Sequence, residues 1–357
     1  MAYTTINDPS EYFHSQLYTG TGSSHSVTND ANAGDFKPDW VWIKERSSSG
    51  GHKIYDSTRG VQQAVQSQST GAEATTAQGL TAFNTDGFTV GSDGGHNQSS
   101  ATYVAWQWKC NGGTTSSNTD GSITSTVQVN TDAGFSIGTF TGNGTSGATV
   151  GHGLGVKPDM IITKSRNNPS GAAMNWFVAH KGIDDMDGTS ALFLNSTSAK
   201  QVASSLWGNT APTTSVFSLG SNAAVNYTGN DMLFYAFKEK QGYSKFGEFY
   251  GNGNTNGQFV YTGFAPMFLV LRDLAGGGWF TFDIKRDTYN AAEKRLALNN
   301  SDAEATGGFT NVVDILSNGF KLRNTDTAWN GSGRNYIYIA FANHPFVTST
   351  GIPTTVR

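Results

Sequence analysis

One pattern occurs three times along this chain of 357 residues, and it limits the fold more than any other feature. "KPDWVWIKER" begins at Lys37, "KPDMIITKSR" at Lys157 and "APMFLVLRDL" at Ala265. The same flanking landmarks accompany each copy. A glycine-rich lead-in precedes it: "YTGTGSS" from Tyr18, "FTGNGTS" from Phe140 and "FYGNGNT" from Phe249. A second strand follows: "HKIYD", "WFVAH" and "WFTFD". Then come a small polar stretch ("STGAEAT", "STSAKQV", "NSDAEAT") and a turn and strand ("NTDGFTVG", "TTSVFSLG", "LSNGFKLR"). An aromatic strand closes each copy: "YVAWQWK", "MLFYAFK" and "YIYIAFA". Landmarks recurring in one order imply three homologous units of roughly 100–110 residues. The second has drifted most. It carries Lys200 where the others carry Glu73 and Glu304, and lacks the turns Asp86-Gly87 and Asn318-Gly319.

Side chains alternate across a strand, so Trp40 and Trp42 share one face and Val41 and Ile43 the other. Both faces are apolar, as in a central strand covered on each side. One cover is a sandwich core. The other is a short helix, a long loop or a neighbouring unit, with the residues after Ser57 and Ile284 as candidates. Glycine is abundant (44 residues), proline scarce (8), aromatics reach 12% and charged residues only 14%. This composition fits short strands joined by tight turns.

The expected fold is mainly all-β: three tandem homologous antiparallel β-sandwich domains, jelly-roll or lectin-like, with at most short helices. Helical turns are expected at Thr58–Ser67 and Asp287–Leu298. The expected divisions are an N-terminal arm (1–17), a first repeat (18–110), and a linker with lead strand (111–134). A second repeat (135–242), a third (243–347) and a C-terminal tail (348–357) follow. The second and third repeats should be closely joined, because no linker comparable to "CNGGTTSSNTDGS" separates them.

The net charge of −4 and pI near 6.0, with no basic run, give no reason to expect nucleic-acid binding. No apolar run approaches the ~18 residues of a membrane helix, so no membrane insertion is expected. "MAYTTINDPSEYF" lacks a basic start and an apolar segment, so no signal peptide and synthesis in a cytoplasm are expected. The single cysteine, Cys110, has no internal disulfide partner and reads as a tolerated thiol.

Three acidic groupings merit a test for paired-carboxylate chemistry: Asp184, Asp185 and Asp187; Glu293, Asp302 and Glu304; and Asp56 with Asp283 at equivalent repeat positions. Turn and capping roles explain them better. The seven histidines show no metal-ligand spacing, the glycine runs lack a phosphate-loop ending, and no nucleophile elbow is present. No catalytic residue, metal or cofactor is therefore expected. The binding candidates are Trp207 in "SSLWGNTAP" and Trp329 in "TDTAWNGSGRN", set among turn residues where a ring could stack on a sugar or a neighbouring subunit.

The motifs F-x-P-D-x-V-W-I-K-x-R-S, H-x-x-Y-D-S-x-R-G-V, L-T-x-F-N-x-D-G-F-x-x-G and Y-V-A-W-x-W-K resemble a repeated module of tailed-bacteriophage virion proteins, of the marine and cyanophage type. The first unit matches from Tyr18 to Lys109, the third well, and the second in outline. The resemblance implies a non-enzymatic structural component of the virion, tail- or fibre-associated, serving in particle assembly and in attachment to the host surface. Its implied partners are other virion proteins, further copies of itself as a homo-oligomer, and a host-surface glycan. The alternatives are a capsid-surface decoration protein and a glycan-binding or glycan-degrading tail protein.

Overall fold

The computed structural model describes residues 4–30, 35–167, 174–305 and 310–345, and in it one strand order recurs three times. Lead strands Phe13–Thr19, Phe135–Thr141 and Ser244–Tyr250 pair with closing strands Thr102–Trp108, Asp231–Phe237 and Asn335–Pro345. Each closing strand pairs on its other side with a central strand: Trp40–Glu45, Met160–Ser165 or Phe264–Asp273. Each central strand pairs with Lys53–Asp56, Phe177–His180 or Phe280–Asp283. All these pairings are antiparallel. Each unit also contains a small antiparallel sheet: His25–Val27, Phe88–Val90 and Leu80–Phe83; Thr149–Gly151 and Val216–Ser218; Phe259–Tyr261, Gly319–Leu322 and Val313–Leu316. The protein is mainly β, and no helix among the described residues exceeds four residues.

The central strands show what covers both faces. Val41 and Ile43 join Leu80, Phe88 and Val90 in an apolar cluster private to the first unit. Ile161 enters a private cluster in the second unit, and Leu269 and Leu271 one in the third. The opposite faces meet in one shared core. Trp40, Trp42, Met160, Ile162, Phe268 and Val270 all belong to it. Rings touch across every pair of units: Trp40 and Tyr235 at 4.5 Å, Trp106 and Phe268 at 5.2 Å, Phe237 and Phe341 at 6.0 Å. An apolar cavity of about 30 Å³ remains between them, lined by residues of all three units.

The units meet head to tail. The Glu73 amide donates to the Arg166 carbonyl at 2.7 Å, Lys200 to Leu274 at 2.8 Å, and Glu304 to Arg46 at 2.9 Å. These are equivalent positions, taken first to second, second to third and third back to first. A heterologous contact that returns to its start closes a ring. The second cover of each central strand is therefore the neighbouring units, and not the residues after Ser57 and Ile284.

Three local expectations change. Residues 13–17 are no arm: Phe13–Thr19 is the first unit's lead strand, and Ile6 and Phe13 lie in the shared core. Thr58–Ser67 and Asp287–Leu298 are not helical. Positive φ at Gly60 and Gln62 breaks the first, and Val65 exchanges backbone bonds with Ile54. In the second, Leu296–Ala297 pairs as an edge strand with Phe280–Thr281. In the segment 111–134, Ser116–Asn118 and Ser125–Asn130 extend the second unit's sheet. The tail 348–357 lies outside the described residues.

The glycine-rich lead-ins are clasped identically in all three units. Asn97, Asn226 and Asn330 accept a side-chain bond from the amides of Thr21, Asn143 and Asn252, and donate to the carbonyls of Ser23, Thr145 and Asn254. A Cβ on Gly20, Gly142 or Gly251 would lie 2.1–2.4 Å from a backbone oxygen. The glycine pattern is a fold requirement.

Candidate surface site

The seams account for three of the carboxylates that suggested chemistry, Asp56, Asp283 and Glu304. Asp56, Arg59 and Glu73 of the first unit form a buried cluster, with Arg59 to Asp56 at 2.6 Å and to Glu73 at 2.6 Å. The second unit completes it. Arg166 bonds Glu73 at 2.7 Å, and the Tyr235 hydroxyl donates to Asp56 at 2.8 Å. The third unit repeats the device toward the first: Asp283 and Glu304 hold Arg286, Arg46 bonds Glu304 at 2.8 Å, and the Trp106 indole donates to Asp283 at 3.1 Å. Burial opposes the charge on Arg59 and Arg286, but the neighbouring carboxylates hold both pKa values above the ordinary arginine value. The third seam has lost the cluster. His180 and Lys200 stand where Asp56 and Glu73 stand in the first unit, and His180 Nε2 donates to the Tyr338 carbonyl at 3.2 Å. Burial pushes His180 down to about 3, and His52 likewise. The Nδ1 of His52 accepts from the Trp42 indole at 2.8 Å, so its Nε2 donates across the seam to Ala297.

The remaining acidic groupings serve turns. Asp184 accepts from the amides of Met186 and Ser190, and Asp187 from that of Thr189. Burial raises Asp184 above the ordinary carboxylate range, while the Thr189 hydroxyl lowers Asp187. Glu293 accepts from the Asn311 amide. Cys110 is buried, and burial pushes its thiol up. Among the described residues no group of three or more His, Cys, Asp or Glu is placed to hold a metal ion.

Trp207 and Trp329 do not form a binding surface. They are 3% and 0% exposed and lie in the private clusters of the second and third units. The Trp329 ring packs edge-on against Phe280 at 5.4 Å, and its indole N–H donates to Asn324. A ring enclosed this way has no face to offer a sugar. The repeat contains the signal: Trp329 precedes the clasping Asn330 as His96 precedes Asn97 and Val225 precedes Asn226, and all three are buried.

The exposed aromatics are elsewhere, concentrated in the third unit. Tyr250, Phe259 and Tyr261 are 59%, 41% and 51% exposed. Equivalent strand registers identify their counterparts. Val260 faces Phe320, as Val27 faces Phe88 and Val150 faces Phe217. The residues flanking it are therefore Phe259 and Tyr261 in the third unit, Ser26 and Thr28 in the first, Thr149 and Gly151 in the second. Tyr250 corresponds to Thr19 and Thr141. The fold itself thus needs no aromatic at any of these positions.

Tyr261 also walls a groove of about 390 Å³, together with Lys238, Glu239, Gln241, Ser244, Lys245 and Thr262. The groove lies where the second unit passes into the third. Lys238 is paired with Asp159 at 3.1 Å, and Glu239 with Lys181. Among the described residues, no carboxylate lies within ion-pair distance of Lys245. This set supplies hydroxyl, amide, carboxylate and ammonium groups beside one aromatic face.

A family model described as a domain of unknown function (DUF7483) matches residues 8–345, a span that takes in all three units. No curated protein and no solved structure matches.

Proposed function

The chain belongs to the DUF7483 family, and we propose that it is a non-enzymatic structural component of a tailed-phage virion, tail- or fibre-associated. In this reading each unit is an antiparallel β-sandwich homologous to the other two. The observation that carries the proposal is the ring: three copies of one module joined head to tail around a single apolar core. Such an object is a rigid block with outward loops, suited to assembly with other virion proteins and with further copies of itself. The engagement of Asp56, Asp283 and Glu304 with arginines at the seams supports a scaffolding role for the carboxylates that most resembled an acid pair. The exposed aromatics of the third unit favour a host-surface attachment function within the same protein.

The test is electron microscopy of particles made without the protein, together with its copy number in purified virions. A missing tail or fibre appendage and a low copy number are expected. Complete particles would overturn the virion role. Hundreds of copies per particle would move the protein to the capsid surface as a decoration protein.

A further inference from the structure

We propose that the groove beside Tyr261 binds an acidic oligosaccharide, with the phenol ring as stacking wall and Lys245 as the carboxylate partner. The inference rests on the attachment reading and deepens it.

Three observations converge. First, the other two units are internal controls. Where the third has Tyr261 and Phe259, the first manages with Thr28 and Ser26, and where it has Lys245 the second has Ser136, identified by pairing opposite Ala236 as Lys245 pairs opposite Ala340. Folding therefore does not account for these side chains. Second, the groove has the size of a small-ligand site and a mixed lining. Each sugar hydroxyl both donates and accepts, and Ser244, Thr262, Gln241 and Glu239 can answer both needs. A protein partner would favour a core depleted of lysine and glutamate, which this groove contains. Third, the charges do not balance. Lys238 and Glu239 are already paired, to Asp159 and Lys181, which leaves Lys245 as the cation able to meet a ligand carboxylate. A sugar bearing a uronate group fits that surplus better than a neutral one.

The test uses the full chain and calorimetric titration with tri-galacturonate, a hyaluronan tetrasaccharide and neutral maltotriose. Two variants restore residues that another unit already carries at the same place: Tyr261→Thr and Lys245→Ser. At least one acidic oligosaccharide should bind more tightly than maltotriose. Tyr261→Thr should weaken it by about tenfold, the loss of one stacked ring. Lys245→Ser should reduce acidic binding to the neutral level. Circular dichroism confirms that both variants fold. No binding of either acidic probe at millimolar concentration, or binding untouched by both variants, overturns the proposal. So does self-association that Tyr261→Thr abolishes without any sugar binding, which would make this face a contact between copies. Loss of the sugar site leaves the virion role standing, whereas complete particles without the protein would remove that role and leave the sugar site intact.

Discussion

Arg59 shows what a seam asks of one side chain. Its guanidinium is fully enclosed and held by Asp56 and Glu73, with Arg166 of the next unit on the far side of Glu73. Removing one partner from a buried ionic cluster leaves a charge without compensation. Glu73→Gln should therefore lower the unfolding free energy by about 3 kcal/mol, measured by urea denaturation. A loss under about 0.5 kcal/mol would mean that the cluster is solvated and contributes little. His52 and His180 make an acid-sensitive pair at two other seams. Lys44 and Arg286 act on the first, Lys181 and Asp159 on the second. Both histidines are neutral in the fold, with pKa values lowered to about 3, whereas the unfolded chain protonates them near the ordinary histidine value of 6.5. The unfolded state therefore binds more protons between those values, and stability falls as pH drops from 6.5 toward 3. Denaturation midpoints measured across that window should decline less steeply in His180→Gln than in the parent. Equal slopes would show that His180 contributes nothing to the acid response.

At the scale of the element, the sequence was most readable where a strand or turn answers to local rules. The alternation of Trp40, Val41, Trp42 and Ile43 identifies a strand covered on both faces, and both covers exist. The glycine lead-ins read as turns, but their purpose depends on an asparagine that follows the clasped residue 76 to 83 positions later and reaches back to it. Gly20 illustrates the constraint: a Cβ there would lie 2.1 Å from the Gln98 carbonyl oxygen. Gly20→Ala should cost about 1–3 kcal/mol in thermal or urea unfolding, because backbone cannot yield as a side-chain tip can. A neutral result would place the lead-in farther from Gln98 than described. Turn-forming neighbours flank Trp207 and Trp329, and turn residues say nothing about which way a ring folds back. Comparing outward positions across the three units separates them from Phe259 and Tyr261, since a ring buried in one copy has buried counterparts and a ring on the surface has small polar ones. The helices expected at 58–67 and 287–298 do not form because strand pairing overrides propensity: Val65 bonds Ile54 in the first segment, and Leu296–Ala297 pairs with Phe280–Thr281 in the second.

At the scale of the whole molecule, the repeat was legible and its closure was not. Tandem copies suit an extended string as well as a ring, and no local signal announces that Arg46 meets Glu304, 258 residues away. The information lies in which faces remain apolar once each private core is filled. All three central strands keep a second apolar face, and three such faces can cover one another. The drift of the second unit also makes sense only here: His180, Ile183 and Lys200 replace the Asp-Arg-Glu cluster at a seam whose partner position is Leu274 rather than an arginine. The ring is the premise of both the structural role and the rigid placement of the Tyr261 groove between two units. Small-angle X-ray scattering of the full chain in solution tests it most directly. A closed ring around one core should give a radius of gyration of about 20 Å, the value for a compact chain of this length. Three separate sandwiches strung in line would give about 28 Å, and that result would contradict the ring.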